Sequence, residues 1–239
     1  MVEDRMNITL LKATNRKNSS TYHAAKYMIS KLPNVNEVFE FTLPDDMSHI
    51  CRGCYVCLHG NEEKCGGYAY LKPINEALAK SQLIVFCCPV WCFHAPGQIK
   101  SFLDHYGFRW LVHRPNFDML HKQAVIITTA GGGGLKSAAK DIKDSMDYWG
   151  VARTHIVTQS VWGFFWNDMP DQLKKSLERK LEKTAAKVSK HAQNLKPSLK
   201  VKSLCKMFAK LHLKGKMWEI DNEYWQEHWK GNQREHQNG

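Results

Sequence analysis

The sequence predicts a doubly wound α/β fold, a five-stranded parallel sheet with helices on both faces. Two observations carry this expectation. Five short apolar or β-branched runs recur along the 239 residues, each followed by an irregular loop and then by a stretch with helical periodicity. Strands and helices that alternate in this way build parallel sheets, because a parallel neighbour is reached only through a crossover. The run at 83–88, Leu-Ile-Val-Phe-Cys-Cys, is apolar without alternation, as expected of a strand covered on both faces.

The length, with 43% hydrophobic and 24% charged residues, allows one sizeable core or one domain with an appended piece. No apolar run approaches a membrane span, and residues 1–5 carry acids and no apolar leader. A cytoplasmic protein without a membrane partner is therefore expected. Eight cysteines in such a chain point to metal ligands or reduced core thiols rather than to a disulfide framework. The 34 Lys and Arg exceed the 23 Asp and Glu mainly between positions 174 and 216, which reads as solvated helix faces and not as a nucleic-acid surface.

Residues 6–12 (MNITLLK) form the first strand and 13–21 (ATNRKNSST) the loop after it. Tyr22, Ala25, Met28, Ile29 and Leu32 recur at helical spacing, with Ser19, Ser20 or Thr21 as N-cap and Pro33 as the stop. The loop therefore meets the positive end of a helix. There Thr14, Arg16, Asn18, Ser19, Ser20 and Thr21, with Asn15 and Lys17 beside them, suit a phosphate. An ordinary capped helix start is the alternative. Residues 35–43 form a second strand ended by Pro44, Asp45 and Asp46. A short helix after Pro73, marked by Ile74, Ala77 and Leu78, leads into the 83–88 strand, where Cys87 and Cys88 are core residues.

The next loop, Pro89, Val90, Trp91, Cys92, Phe93 and on to Gly97, either caps the core or walls a pocket for a flat ligand. A helix at 98–106 buries Ile99, Phe102 and Leu103. Residues 107–121 are aromatic, basic and long for a plain connection, which suggests a lid or an oligomer contact. The fourth strand, 124–129, opens into Ala130 and then Gly131, Gly132, Gly133 and Gly134. Such a run suits close approach of backbone to a ligand, with a flexible ligand-free loop as the alternative. A helix through Ala138, Ile142 and Trp149 closes at Gly150, a fifth strand covers 154–161, and a surface helix covers 170–194. Beyond Pro197, helical spacing at Leu204, Met207, Phe208 and Leu211 precedes Trp218, Tyr224, Trp225 and Trp229. So many aromatic residues imply a tail that docks on the body or on a second subunit. The chain divides into 1–194, with a cysteine loop inserted at 44–70, and an extension at 195–239.

That loop holds Cys51, Cys54, Cys57 and Cys65, with Gly53 to let the backbone curl back. The spacing suits a [4Fe-4S] cluster. Zinc suits it less well, because zinc sites usually pair two C-x-x-C knuckles across a longer loop or recruit a histidine. Reduced cysteines that bind nothing are the third reading.

In a strand order 2-1-3-4-5, the loops after strands one, three and four line one crevice where the order reverses. A phosphate cradle, an aromatic wall and a glycine edge suit flavin mononucleotide (FMN) better than a nucleoside triphosphate. Neither G-x-x-x-x-G-K-[ST] nor G-x-G-x-x-G is present. The chain resembles the flavodoxin-like NAD(P)H-dependent FMN reductases, and within them the iron–sulfur flavoprotein branch. Residues 13–21 resemble the family's G-S-x-R-x-x-S-x-T phosphate loop, with Ala13 and Thr14 in place of Gly-Ser. Cys88, Pro89, Val90 and Trp91 resemble its S-P-V-Y loop, and Gln98, Lys100, Phe102 and Asp104 the following Q-x-K-x-F-x-D. Residues 128–132 are similar to its loop beside the isoalloxazine, the cysteines to the branch's C-x-x-C-x-x-C, and residues 221–229 to the D-x-x-Y-W…W tail of longer members.

The resemblance implies a flavodoxin-like fold with FMN held by Thr14, Arg16, Asn18, Ser19, Ser20, Thr21, Pro89, Val90, Trp91, Cys92, Phe93, Thr129, Ala130, Gly131, Gly132 and Gly133. It implies NADH or NADPH as co-substrate and no catalytic side chain, since the chemistry is the flavin's. A [4Fe-4S] cluster on Cys51, Cys54, Cys57 and Cys65 would convert two-electron into one-electron transfer. A homo-oligomer and a small-molecule or protein electron acceptor are the implied partners. The alternative is a flavodoxin-like electron carrier with no NAD(P)H turnover of its own.

Overall fold

The computed structural model describes residues 5–192 and 194–235, with side chains to residue 229. Its five strands are β1 (Met6–Lys12), β2 (Val35–Thr42), β3 (Leu83–Pro89), β4 (Gln123–Ala130) and β5 (Arg153–Ser160). They form one parallel sheet in the order β2-β1-β3-β4-β5. The alternation of side chains divides the core in two. Ile8, Leu10, Val85 and Val125 face helices α1 (Ser20–Ser30) and α6 (Asp171–Ala192). Leu11, Phe86 and Ile126 face α3 (Tyr68–Lys80), α4 (Gly97–His105) and α5 (Leu135–Trp149), while a single turn, α2 (Leu43–Asp46), follows β2. β4 is buried at every position, which is why its sequence lacks a polar face.

Two elements differ from the sequence reading. Helix α3 begins at Tyr68 and carries Pro73 inside it, rather than starting after that proline. Pro73 removes one N–H from the ladder, but Leu71, Ile74, Ala77 and Leu78 bury one continuous stripe, and that burial outweighs the missing bond. Residues 107–121 are not a lid. They form two 3₁₀ turns, Gly107–Arg109 and Phe117–His121, and make the platform for a C-terminal extension of α7 (Leu199–Leu213) and α8 (Glu219–Glu235).

Leu111, Phe117 and Leu120 of the platform pack with Val201, Phe208 and Trp225 of the extension. Trp225 is fully buried and its Nε1–H donates to the His113 carbonyl at 2.7 Å, while the Tyr224 hydroxyl donates to the Pro115 carbonyl at 2.6 Å. The aromatic tail thus docks on the body of its own chain. Lys200 adds a 2.8 Å ion pair to the buried Asp147 on α5.

Two tests follow from this packing. Phe102 is fully buried against Tyr106 (centroids 4.9 Å) and Trp149 (6.1 Å). Phe102→Ala should cost about 3–5 kcal/mol in urea unfolding, whereas Leu199→Ala, at an 86% exposed position, should be nearly neutral. At the amino ends of the strands, His155 Nε2 lies 3.1 Å from Gln123 Oε1 and its ring stacks on His191 at 5.5 Å. Burial first, then His191, Lys187 and Arg153, pushes His155 from 6.5 down to about 4. The folded state therefore keeps His155 neutral where the unfolded chain takes up a proton. Its contribution is constant above about pH 6.5 and is lost as pH falls toward 4. His155→Gln should flatten the stability–pH curve across that window.

Candidate active site

The loop between β1 and α1 is folded by its own hydroxyls. The Ser19 Oγ caps α1 by accepting from the Tyr22 N–H at 3.4 Å, and Thr14 Oγ1 accepts from the Arg16 N–H at 3.1 Å. The first N–H groups of α1, at Ser20 and Thr21, have no partner within the helix, and both residues line the crevice at the positive end of the helix dipole. Two further hydroxyls tie this loop to its neighbours. Thr21 Oγ1 lies 2.5 Å from Thr129 Oγ1 at the end of β4, and Ser20 Oγ donates to the Phe164 carbonyl at 2.9 Å.

The loop after β3 is a hairpin-like turn. Trp91 and His94 exchange backbone hydrogen bonds of 3.0 Å around Cys92 and Phe93, which sit at φ of 49° and 66°. Neither residue is glycine, so this left-handed pair costs roughly 1–2 kcal/mol per residue. The Asp141 carboxylate on α5 holds the turn, accepting from the Ala95 N–H at 3.1 Å and meeting His94 Nδ1 at 3.2 Å. The Val90 N–H donates to the Thr129 carbonyl at 2.9 Å. Cys88 faces the core with Phe86 and Ile99, and burial pushes its thiol up to about 12.

The glycines after β4 serve this turn more than a ligand. At Gly134, with φ of 85°, a Cβ would lie 2.6 Å from Phe93 Cα, and at Gly133 it would lie 2.9 Å from the Phe93 ring. Gly132 faces open space. Only Gly131 of the four borders the crevice.

That crevice is a cavity of about 290 Å³ at the carboxyl ends of β1 and β3. Of the residues named from sequence, Thr14, Arg16, Ser19, Ser20, Thr21, Pro89, Val90, Trp91, Thr129, Ala130 and Gly131 line it. Asn18 opens instead onto a smaller cavity of about 90 Å³ beside His23 and Trp166. Cys92, Phe93, Gly132 and Gly133 are not on the wall. Val161, Gly163, Phe164 and Phe165, from the loop after β5, complete it and were missed. The run Trp162-Gly163-Phe164-Phe165-Trp166 was their signal, an aromatic loop after a strand exactly parallel in kind to the one after β3. Among the described residues, Arg16 is the single charged one on the wall, and no carboxylate faces it.

The chain matches a family model described as NADPH-dependent FMN reductase over residues 6–166. It belongs to that family. No curated protein matches it in sequence. Among solved structures, an FMN-dependent NADH-azoreductase from Bacillus anthracis, crystallised with FMN, superposes at a TM-score of 0.58 and 12% identity, covering 77% of this chain and 99% of that one. An NAD(P)H:quinone oxidoreductase from Methanothermobacter marburgensis gives 0.57 and 15%, covering 76% and 96%. An apo NADH:FMN oxidoreductase gives 0.55 and 16%, covering 80% and 94%. At these identities the likeness is one of fold.

In this FMN reductase the four cysteines line a second, larger cavity of about 570 Å³, with His49, His105, Phe108 and Trp110. The thiol geometry expected from their spacing is not formed. Among the described residues, no group of three or more His, Cys, Asp or Glu side chains is placed to hold a metal ion. Left-handed residues at Gly53 (φ 63°) and Tyr55 (φ 59°) turn Cys54 out to solvent, while Cys51, Cys57 and Cys65 stay half-buried. Burial, then Cys65 and Cys51, raises the Cys57 thiol above its ordinary value.

Gly134→Ala should destabilise the protein by roughly 2 kcal/mol or more through its positive φ and the clash with Phe93. Gly132→Ala, which meets nothing within 4 Å, should change the urea midpoint far less.

Proposed function

We propose that the crevice binds FMN with its phosphate on the amino end of α1 and its ring beside Trp91 and the 129–131 backbone. One observation carries this reading: among the described residues, a cavity at the strand-order reversal is lined by a helix N-terminus, five hydroxyl residues at Thr14, Ser19, Ser20, Thr21 and Thr129, and one arginine, with no carboxylate. The donor set fits a phosphate dianion. Bound there, FMN would accept hydride from NADH or NADPH and deliver electrons to an acceptor.

The chain's own groups bind and orient. Arg16 and the unpaired N–H groups of Ser20 and Thr21 neutralise the phosphate. The Thr21–Thr129 pair shares one hydrogen between its two oxygens, which leaves the other hydroxyl free to donate into the crevice. Backbone N–H groups of the loop that begins at Ala130 and Gly131, which line the crevice, would stabilise negative charge on the bound ring. Because no titratable side chain other than Arg16 lines the wall, these residues supply position and field and move no proton themselves.

The acceptor class is a quinone-like or azo-aromatic small molecule, in keeping with the azoreductase and quinone oxidoreductase folds it matches. Exposed aromatic residues stand on the crevice wall at Trp91 (42%), Phe164 and Phe165, and the same two loops expose Phe93 (68%) and Trp162 (71%). Such a rim favours a homo-oligomer in which a second copy covers the crevice. The cysteine loop is proposed to hold a [4Fe-4S] cluster that passes single electrons; its support is the C-x-x-C-x-x-C spacing and the cavity that the four residues border, and it requires Cys54 to turn inward. No helix among the described residues is long and apolar enough to cross a membrane.

Arg16→Gln should weaken FMN binding by about 10- to 100-fold, read by flavin fluorescence, because one charge-assisted contact is lost. Anaerobic NADH or NADPH should bleach the flavin of the wild-type protein within a turnover time. A flavin that stays oxidised would leave only the electron-carrier reading. Iron and sulfide assays on anaerobically purified protein test the cluster separately, and flavin bands without stoichiometric iron would remove it while leaving FMN in place.

A further inference from the structure

The cysteine loop, the platform at 107–121 and the start of α8 meet at one buried ionic node. Arg114, only 5% exposed, donates from Nη1 to Asp221 Oδ1 at 2.6 Å and to the Leu58 carbonyl at 3.1 Å. From Nη2 it donates to Glu62 Oε1 at 3.0 Å and to the Cys57 carbonyl. Asp221, 1% exposed, takes His113 Nδ1 at 2.8 Å on its other oxygen. Beside the node, Trp218 stacks on His59 with centroids 6.0 Å apart, and Ile220 Cδ1 lies 2.6 Å from where a Cβ on Gly60 would stand. Residues 57–62 are therefore gripped at two carbonyls, a carboxylate, a ring and a glycine.

A buried guanidinium must have its donors met, and a buried carboxylate must have its cation. Here the carboxylate is met by Arg114 and His113 of the platform, whereas the remaining guanidinium donors are met only when the loop is closed over the node. The carbonyls that Arg114 takes belong to Cys57 and its neighbour, so the same bonds that neutralise the node set the backbone carrying the Cys57 thiol. Asp221 lies beyond residue 166, where the family match ends. The closure of the loop thus depends on a part of the chain outside the shared fold.

We propose that Arg114 and Asp221 are positioning residues through which the C-terminal extension keeps Cys51, Cys57 and Cys65 half-buried along one cavity, and that opening the node releases these thiols together. The proposal concerns the thiols themselves, and its test is made without a metal.

In the full-length, metal-free protein, maleimide labelling followed cysteine by cysteine should show Cys51, Cys57 and Cys65 reacting at least about tenfold faster in Asp221→Asn than in the wild type. The exposed Cys54 should react fast in both, and the buried Cys87 and Cys88 should stay protected. Asp221→Glu, which keeps the carboxylate, should recover most of the protection. Unchanged rates at Cys51, Cys57 and Cys65 in a variant with Cys87 and Cys88 protected would overturn the proposal. If Asp221→Asn exposes Cys87 and Cys88 as well, Trp218→Ala decides by the same readout, since it removes only a half-exposed ring stacked on the loop; acceleration confined to the loop supports the node, and wild-type rates dismiss it. A wild-type protein that takes up no iron would end the cluster reading, while the labelling result would still judge the node.

Discussion

Because the sheet order is β2-β1-β3-β4-β5, the crossover out of β1 runs to one side, toward β2, and the crossover out of β3 to the other, toward β4. Between them the carboxyl ends of β1 and β3 are left without a helix across their tops. The crevice is a product of that topology before any side chain is considered. Its chemistry follows from what the two strands lead into: a hydroxyl-rich helix start after β1 and an aromatic turn after β3. The third wall depends on the first two, because Thr129 at the end of β4 meets Thr21 through its hydroxyl and Val90 through its carbonyl.

Rigidity at this rim is obtained with strain. Cys92 and Phe93 both hold positive φ without being glycine, and Gly133 and Gly134 give up side chains so that the Phe93 turn can lie against α5. The Asp141 carboxylate offsets part of that strain by fixing the backbone of the turn from outside. A flavin ring placed against such a wall meets an orientation already set, which lowers the ordering cost of binding. Charge is arranged with equal economy: residues 183–218 hold ten lysines and no acid, so nearly all of the net +11 lies on α6, α7 and their connection, away from the crevice's single arginine.

The extension and the cysteine loop form a second unit of organisation. Trp225 and Phe117 make its apolar half, and Arg114 with Asp221 its ionic half. An ion pair this deeply buried contributes little net stability relative to an apolar pair of the same size, but removing one partner is costly. Its use is therefore specificity of arrangement, the holding of one loop in one shape.

Much of this was legible in the chain. Alternating strand and helix periodicity, the unbroken apolar run at 83–88 and the donors at 14–21 report local and nearest-layer physics, and those signals led to the parallel sheet and to the loop after β1; the order 2-1-3-4-5 is that of the flavodoxin-like class, and of the sixteen residues that the family resemblance implied, eleven line the crevice. What was missed depended on contacts far apart in sequence. Phe164 joins the wall because a serine 144 positions earlier takes its carbonyl, and Gly133 and Gly134 are glycines because Phe93, some forty residues before them, needs their space. The thiol spacing alone implied four convergent ligands, whereas left-handed turns at Gly53 and Tyr55 send Cys54 outward and an arginine on another loop decides where Cys57 lies. Periodicity and spacing are properties of neighbouring residues and survive in the one-dimensional record. Buried pairing and steric room are properties of packing, and only the folded chain brings their partners together.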